Sequence, residues 1–579
     1  MSAVAPEMAS PPALDPAPPP PPQRPSLRSL AMGMALALGL CAINSYLTLS
    51  FGVIEEGPTI AALFFFATFY LSRTRIQSHE MVMVATMGSA GGSLGFISNF
   101  FAAKVMATGT SFTVAEMTAF GVTSSLVGLA FVVPLRELLI VRERLPWPGS
   151  KATASVIEAL VEAGDPKQPR YLALSAFLAI AFVIANTDGG FGLVPDASAI
   201  PLFGLAAFSA AIAWSPFAIG GAYLMGVRTC IGFFFGGVIL LALAPHLPVP
   251  AAPHRYVWPG IGFLVASGLM AMALQWRTLL EAAQSMMRFG QRPTGPVAAA
   301  TPGDDGGPPI AGRAYILLLA LAVASAVGLM GFAFAIPALI GVALVVVGGL
   351  IQNLIATRAA AQTAFNPARV MGILLQGVTA LLGAPSAAQN LVGAGMVAGS
   401  GAQAGNLTGD LVYGRRFSVP SRWQFWGQAA TIVPCALTSA WVFAQITGAK
   451  KLAIEGGDLP APVAKMWAAS AIIFDGSQPL PPFALQAMCI AGAVGAVYVF
   501  LEQETPLQKF LPSSLGLGLG LVLPVAYDWA FFVGGIALYA LHRFAGVREL
   551  TLTTIAVGCI VGEGIGGIAK PILAIAGVL

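Results

Sequence analysis

Charge is what this sequence has least of. Only 9% of its 579 residues are Asp, Glu, Lys or Arg, against roughly 25% in a soluble globular protein, and that excludes a soluble domain. Histidine and cysteine are sparse as well. The four histidines (His79, His246, His254, His542) are dispersed, and the five cysteines (Cys41, Cys230, Cys435, Cys489, Cys559) sit singly in apolar stretches with no CxxC. This spacing offers neither a disulfide framework nor a metal site, so the cysteines read as small packing residues and no cofactor is expected. No GxxxxGK[ST] loop occurs, so the chain cannot itself be the ATPase of a primary pump. The net charge of +4 is small and the basic residues fall between apolar runs, which leaves nucleic acid out as a partner.

What is present is hydrocarbon. Hydrophobic residues make up 57% of the chain and the mean hydropathy is +0.80, the signature of a polytopic protein built from apolar spans of about 20 residues in a lipid bilayer. Residues 1–26, with "PPALDPAPPPPPQRP", lack an apolar h-region and read as a disordered Pro-rich tail. Apolar segments follow at 27–50, 57–72, 79–102, 117–141, 171–187, 197–214, 216–244 and 259–288. After the Gly/Pro-rich linker 290–312 they resume at 314–332, 335–357, 370–384, 387–414, 423–447, 463–476, 482–502, 512–527, 529–545 and 552–576. The charged stretch 136–170 is expected to hold a surface helix. The expected fold is all-α, with about 16 transmembrane helices in two halves (27–289 and 313–579) that include broken or re-entrant segments.

Basic residues orient the spans. With the N-terminus inside and 197–214 counted as a full span, Arg73, Arg75, the 136–170 loop and the 277–313 region all fall on the cytoplasmic side. Arg255 is then the sole basic residue in the outer loops 187–196 and 245–258. Dropping 197–214 would move the basic linker outside. Both termini are expected in the cytoplasm, with the inner (plasma) membrane as the location.

One stretch breaks the apolar pattern. "GAGMVAGSGAQAGNLTGDLVYGRRF" (393–417) spaces Gly395 and Gly399, then Gly401, Gly405 and Gly409, four apart. Each set therefore shares one helix face and lets another helix approach closely. Packing alone would account for the glycines. It does not account for Gln403, Asn406 and Asp410, which are costly in hydrocarbon unless they face protein or a water-filled path. Asn366 and Arg369 in "AFNPARV" and Asn390 in "GAPSAAQN" punctuate neighbouring segments, as do Glu55, Glu56, Asp475, Asp528 and Glu563. For Glu55, Glu56, Asp475 and Asp528 a solvated loop at a segment end is the simpler reading, and for Arg369 a topology anchor competes with a carboxylate-pairing role.

These residues carry a resemblance. "GAGMVAGSGAQAGNLTGDLVYGRRFSVPSRWQFWGQ", "VPLRELLIVRERLPWPGSKATASVIEA", "SPFAIGGAYLMGVRTCIGFFFGG", "AFNPARVMGI", "LPAPVAKMWAASAIIFDG" and "VGEGIGGI" match, in order, segments of the oligopeptide transporter (OPT) family. The chain resembles a bacterial member of the yellow stripe-like branch, from about residue 28 to its end. It departs from the family at Asn406 (usually Asp), at Gly409 and Val412 (usually Gln and Lys) and in "PGSKA" (usually PEGTA). Glu55 and Glu56 stand where the family is usually neutral.

The resemblance implies a proton-coupled secondary transporter for small peptides or metal–chelate complexes. Asn366, Arg369, Asn390, Gln403, Asn406 and Asp410 are the expected substrate-binding residues. Asp410, Glu563, Glu55 and Glu56 are the expected proton carriers, and Gly401, Gly405 and Gly409 line or pack the path. Amides dominate this set, which favours a peptide or amide-rich solute over a chelate. Two other classes fit less well. An intramembrane enzyme would need Ser93 of "GGSLG" as its nucleophile, yet that match sits inside one apolar helix with no nearby histidine as base. A channel-like pore differs from a carrier in giving flux that does not saturate.

Overall fold

The computed structural model describes residues 25–51, 60–66, 77–163, 167–187, 190–200, 207–248, 252–274, 276–277, 280, 309–310, 312–363, 368–476 and 480–575. Nearly all of them are helical. In the first part of the chain α1 (Leu27–Phe51), α2 (Ser78–Phe96), α3 (Ser98–Thr108), α4 (Val114–Leu135), α5 (Pro148–Ala163) and α6 (Lys167–Ala185) lead to a small antiparallel pair, β1 (Ala197–Ala199) and β2 (Ala211–Ala213). Then come α7 (Pro216–Met225), α8 (Val227–Leu243) and α9 (Trp258–Leu274). The second part holds α10 (Gly312–Phe334), α11 (Ala338–Val342), α12 (Gly349–Thr363), α13 (Ala368–Leu381), α14 (Ala387–Arg416) and α15 (Ser421–Ala449). It closes with α16 (Pro462–Asp475), α17 (Ala484–Glu504), α18 (Ser514–Gly520), α19 (Val525–Ala545) and α20 (Glu549–Ile575). The all-α polytopic architecture expected from composition is the one found.

Among the described residues, eleven helices are long and apolar enough to cross a bilayer, fewer than the apolar runs suggest. Hydropathy counts runs, whereas a span needs a continuous helix. The 370–384 and 463–476 runs form helices of 14 residues each. The 512–527 run gives the seven-residue α18 and a turn. Conversely, α14 is long enough at 30 residues but too polar to register. The 136–170 region does hold a helix, α5, though it is not wholly superficial: Ile157 and Leu160 are buried.

Residues 197–214 correct the topology argument. They are not a full span: their ends pair as β1 and β2, and 201–206 lie outside the described residues. The 216–244 run is likewise two helices, broken at Gly226, whose φ of 82° is left-handed and open to glycine. α6 runs alongside α20 in the same direction, from Gln168 beside Thr551 to Asn186 beside Lys570. The chain then returns along α20, from Asn186 at Lys570 to Phe217 at Glu563 and Gly220 at Ala556. Strand pairs and broken helices are tolerable at membrane depth only when wrapped in protein.

The centre of the fold is α14. It is buried on nearly every side and packs against α2, α3, α4, α12, α13, α15 and α16. Each glycine costs about 1 kcal/mol of helix propensity relative to alanine, so the segment is helical because of its neighbours. A Cβ at Gly128 of α4 would lie 2.7 Å from the Ser400 carbonyl oxygen, and one at Gly399 would lie 3.2 Å from Ser124 Oγ.

Candidate functional site

Two helices meet α14 with polar side chains at matching intervals. On α2, Thr86, Ser89 and Ser93 recur at i, i+3 and i+7; on α14, Asn406, Asp410 and Tyr413 recur at i, i+4 and i+7, so each set holds one face. Asn406 Nδ2 donates to Ser93 Oγ (2.5 Å), which in turn donates to the Ser89 carbonyl (3.1 Å). Ser89 and Tyr413 face the Asp410 carboxylate. The Tyr413 hydroxyl lies 3.3 Å from Thr86 Oγ1. Gln424 of α15 closes the seam, its Nε2 donating to Thr86 Oγ1 (2.9 Å) and to the Asp410 carbonyl (2.8 Å).

The seam is under-satisfied. Asp410 is only 3% exposed, yet its Oδ2 has no hydrogen-bond partner, nor has Gln424 Oε1, nor any side-chain polar atom of Gln403 or Gln428. A buried polar atom left unpaired costs about 1–3 kcal/mol, and native folds avoid such atoms except where something else uses them. The opposite flank of α14 repeats the pattern. Asn353 Nδ2 donates to Ser400 Oγ (3.0 Å) and Gln352 Nε2 to the Ala368 carbonyl (3.2 Å), while the Oδ1 of Asn353 and the Oε1 of Gln352 are unpaired. On α13, Gln376 accepts from Ser470 (2.7 Å) and leaves its Nε2 unpaired. α14 therefore carries two amide-rich flanks whose hydrogen-bonding capacity exceeds what the protein uses.

The expected site residues divide. Gln403, Asn406 and Asp410 share α14, and Asn406 and Asp410 belong to the seam. Asn390 sits on the same helix, about 30 Å along the axis from Asp410 and about 20 Å from Gln403, where its Nδ2 donates to the carbonyls of Pro385 and Ala471 (both 3.2 Å). Gly401 packs against Gln352, with a notional Cβ 3.2 Å from its Cγ, whereas Gly409 packs against Ser150; Gly405 is buried. Asn366, Glu55 and Glu56 lie outside the described residues, and Arg369 begins α13 with its side chain undescribed. Arg416, at the end of the same helix, is paired with Glu158, and Asp410 lies inside α14, which continues to Arg416.

Glu563 stands apart. It lies on α20, which packs on α6, α7, α1 and α15 rather than on α14. Both of its oxygens receive the Ser215 hydroxyl (2.9 and 2.8 Å), and one accepts from the Phe217 N–H (2.7 Å). Ser215 also caps α7 by accepting from the Ala218 N–H (3.0 Å). Ser93, the prospective nucleophile, is held mid-helix by Asn406 and the Ser89 carbonyl. Gln352, Asn353, Gln376, Gln424 and Gln428 were not singled out in the sequence; the signal available was an amide inside an otherwise apolar run.

A many-helix membrane protein whose central helix is flanked by surplus buried amides and one carboxylate belongs, by class, with the solute transporters. The comparisons agree. The chain belongs to the OPT family: the family model described as OPT oligopeptide transporter protein matches residues 26–574. It is similar to a putative oligopeptide transporter of Saccharomyces cerevisiae, 22% identical over 598 residues that cover 81% of this chain and 82% of the yeast protein. A probable metal-nicotianamine transporter of Oryza sativa subsp. japonica is 28% identical over 196 residues, which cover 32% of this chain and 28% of the rice protein.

Proposed function

We propose that this transporter carries small peptides, or peptide-like and metal–chelate solutes, across the inner (plasma) membrane with protons as the coupling ion. Substrate would pass along α14 between the α2/α15 and α12/α13 flanks. The observation that carries the reading is the surplus of buried hydrogen-bonding groups on Gln403, Gln428, Gln424 and Asp410. A peptide backbone presents alternating donors and acceptors, and so matches amides that are free to do both. A chelate would be held through the oxygens and amines of its organic shell by the same groups. Both kinds of cargo are named among the similar proteins.

Asp410 is the coupling group in this proposal. A carboxylate in a low-dielectric interior has to be paired or neutral, and nothing among the described residues pairs its Oδ2. A proton or a substrate amine would complete it. Glu563 is the second candidate for coupling, although both of its oxygens are already engaged at the start of α7. Uptake of labelled di- to tetrapeptides and of iron–chelate complexes by proteoliposomes tests the reading. Saturable uptake driven by an inward proton gradient supports it. Flux that ignores the gradient and does not saturate would indicate a pore.

A further inference from the structure

Lys465 lies in the first turn of α16 and is only 4% exposed. None of the described residues hydrogen-bonds or ion-pairs with its ammonium. Unlike the sealed, unpaired atoms of the α14 seam, its Nζ keeps some solvent-accessible surface. A helical side chain leans towards the N-terminus, so Lys465 leads back to the start of α16. That end is uncapped. Pro462 brings no N–H, no side chain caps the helix, and the N–H groups of Val463 and Ala464 have no acceptor among the described residues. Two loops bring charge to the same place. His254 and Arg255 precede α9, Glu455 lies between α15 and α16, and all three interact electrostatically with Lys465. Arg255 and Glu455 are exposed and His254 is half-buried, so the place is reached from outside the bundle. Glu455 accepts from Trp258 Nε1 (2.6 Å) and forms no ion pair with Lys465 or Arg255.

The charges select the occupant. A buried ammonium needs a compensating charge; water can hydrate it but cannot cancel it. His254 is neutral, because burial pushes its imidazole down to about 4. Lys465 and Arg255 bring two positive charges and Glu455 one negative, which leaves one positive charge over. A cation is repelled, and a phosphate dianion overshoots. A carboxylate cancels the charge, and its two oxygens can accept from an ammonium, a guanidinium and free helix N–H groups together.

We propose that Lys465, Arg255 and the start of α16 form a binding site for one carboxylate. Lys465 is the buried contact and Arg255 the exposed one, while Glu455, held by Trp258, limits the site to a single negative charge. The site is separate from the Asp410 seam: Gln424 meets Asp410 near the start of α15, whereas Glu455 follows the end of that helix. A transported peptide or chelate carries such a carboxylate, and so does a small free anion. Only the source of the carboxylate rests on the transport reading.

Thermal unfolding of the full chain in detergent, at fixed pH and ionic strength, tests this with trialanine, trialanine amide and sodium acetate. A carboxylate bound by the folded state alone raises the wild-type midpoint by mass action. The apparent Kd drawn from that rise should weaken at least about tenfold in Lys465→Met. Arg255→Gln should weaken it less, and Glu455→Gln, which removes the competing charge, should tighten it. Trialanine acting more strongly than its amide and acetate supports the site with the solute as its source. Acetate acting as well as trialanine supports it with a free anion as the source. The proposal is overturned if no carboxylate raises the midpoint, if trialanine and its amide act equally while acetate is inert, or if the rise survives in Lys465→Met. Should Lys465→Met fail to fold, the opposite shifts of Arg255→Gln and Glu455→Gln decide. Because no uptake is measured, a failure here is distinct from a failure of the transport reading.

Discussion

Replacing Glu563 by alanine should destabilise the protein far more than replacing it by glutamine, and the site shows by how much. Pro216 begins α7 without an N–H, so the first free amides of that helix are those of Phe217 and Ala218. Ser215 satisfies Ala218, and Glu563 satisfies both Phe217 and the Ser215 hydroxyl. Alanine leaves those two buried donors unpaired, at about 1–3 kcal/mol each. It also removes an anion from a helix N-terminus, worth up to about 2 kcal/mol when partly buried. The expected loss is about 2–8 kcal/mol. Glutamine keeps one acceptor oxygen for the Phe217 N–H and forfeits the charge, for a loss of about 1–2 kcal/mol. Even at the smaller values seen for side-chain hydrogen bonds within bilayers, about 0.6–1.7 kcal/mol, the order of the variants is the same. Denaturation midpoints of detergent-purified wild type, Glu563→Gln, Glu563→Ala, Ser215→Ala and the Ser215→Ala/Glu563→Ala double variant give the cycle. Equal midpoints for Gln and Ala would refute the reasoning, and so would strict additivity of the Ser215 and Glu563 effects.

Other outcomes follow from the same geometry. Gly128→Ala should cost about 1–3 kcal/mol of overpacking, because its Cβ would meet the Ser400 carbonyl oxygen and the Gln403 side chain within 2.8 Å. Gly328→Ala on α10, with nothing within 4 Å, should instead be neutral or stabilising by up to about 1 kcal/mol, and matched thermal scans compare the two. His254, in the loop before α9, is pushed down to about 4 by burial, and Lys465 and Arg255 add to the effect. It is therefore neutral in the fold, while the unfolded chain binds a proton below about pH 6.5. Its contribution is complete above pH 6.5 and is lost as pH falls towards 4, by about 3 kcal/mol at most. His254→Gln should flatten the stability curve in that window and leave it unchanged at alkaline pH.

Much of this was readable in the chain, and the misses share a cause. The i, i+4 relation of Asn406 and Asp410 is local, so the helix face could be drawn from residue numbers. Their partners Thr86, Ser89, Ser93 and Gln424 come from α2 and α15, and only tertiary packing shows which polar side chains in those apolar runs turn inward. Ser93 advertised itself through a GxSxG match, whereas its use is to hold Asn406. Residues 197–214 were misread because hydropathy reports an apolar run and not its backbone. Gly226, which splits 216–244, was the missed punctuation. Asp528 read as a solvated loop residue at the edge of its run, yet it is fully buried, because α7, α8 and β2 pack against α19.

The most direct test of the account is the pH dependence of peptide uptake by proteoliposomes carrying wild type or Asp410→Asn. Asparagine keeps the volume and the bonds to Ser89 and Tyr413 but cannot carry the coupling proton. The account predicts inserted, folded protein with uptake reduced at least about tenfold, roughly the loss of one charged-group interaction of 1.4 kcal/mol or more. The residual uptake should be insensitive to the proton gradient. A variant whose pH–rate curve overlays the wild type would contradict the role given to Asp410 and to the seam around it.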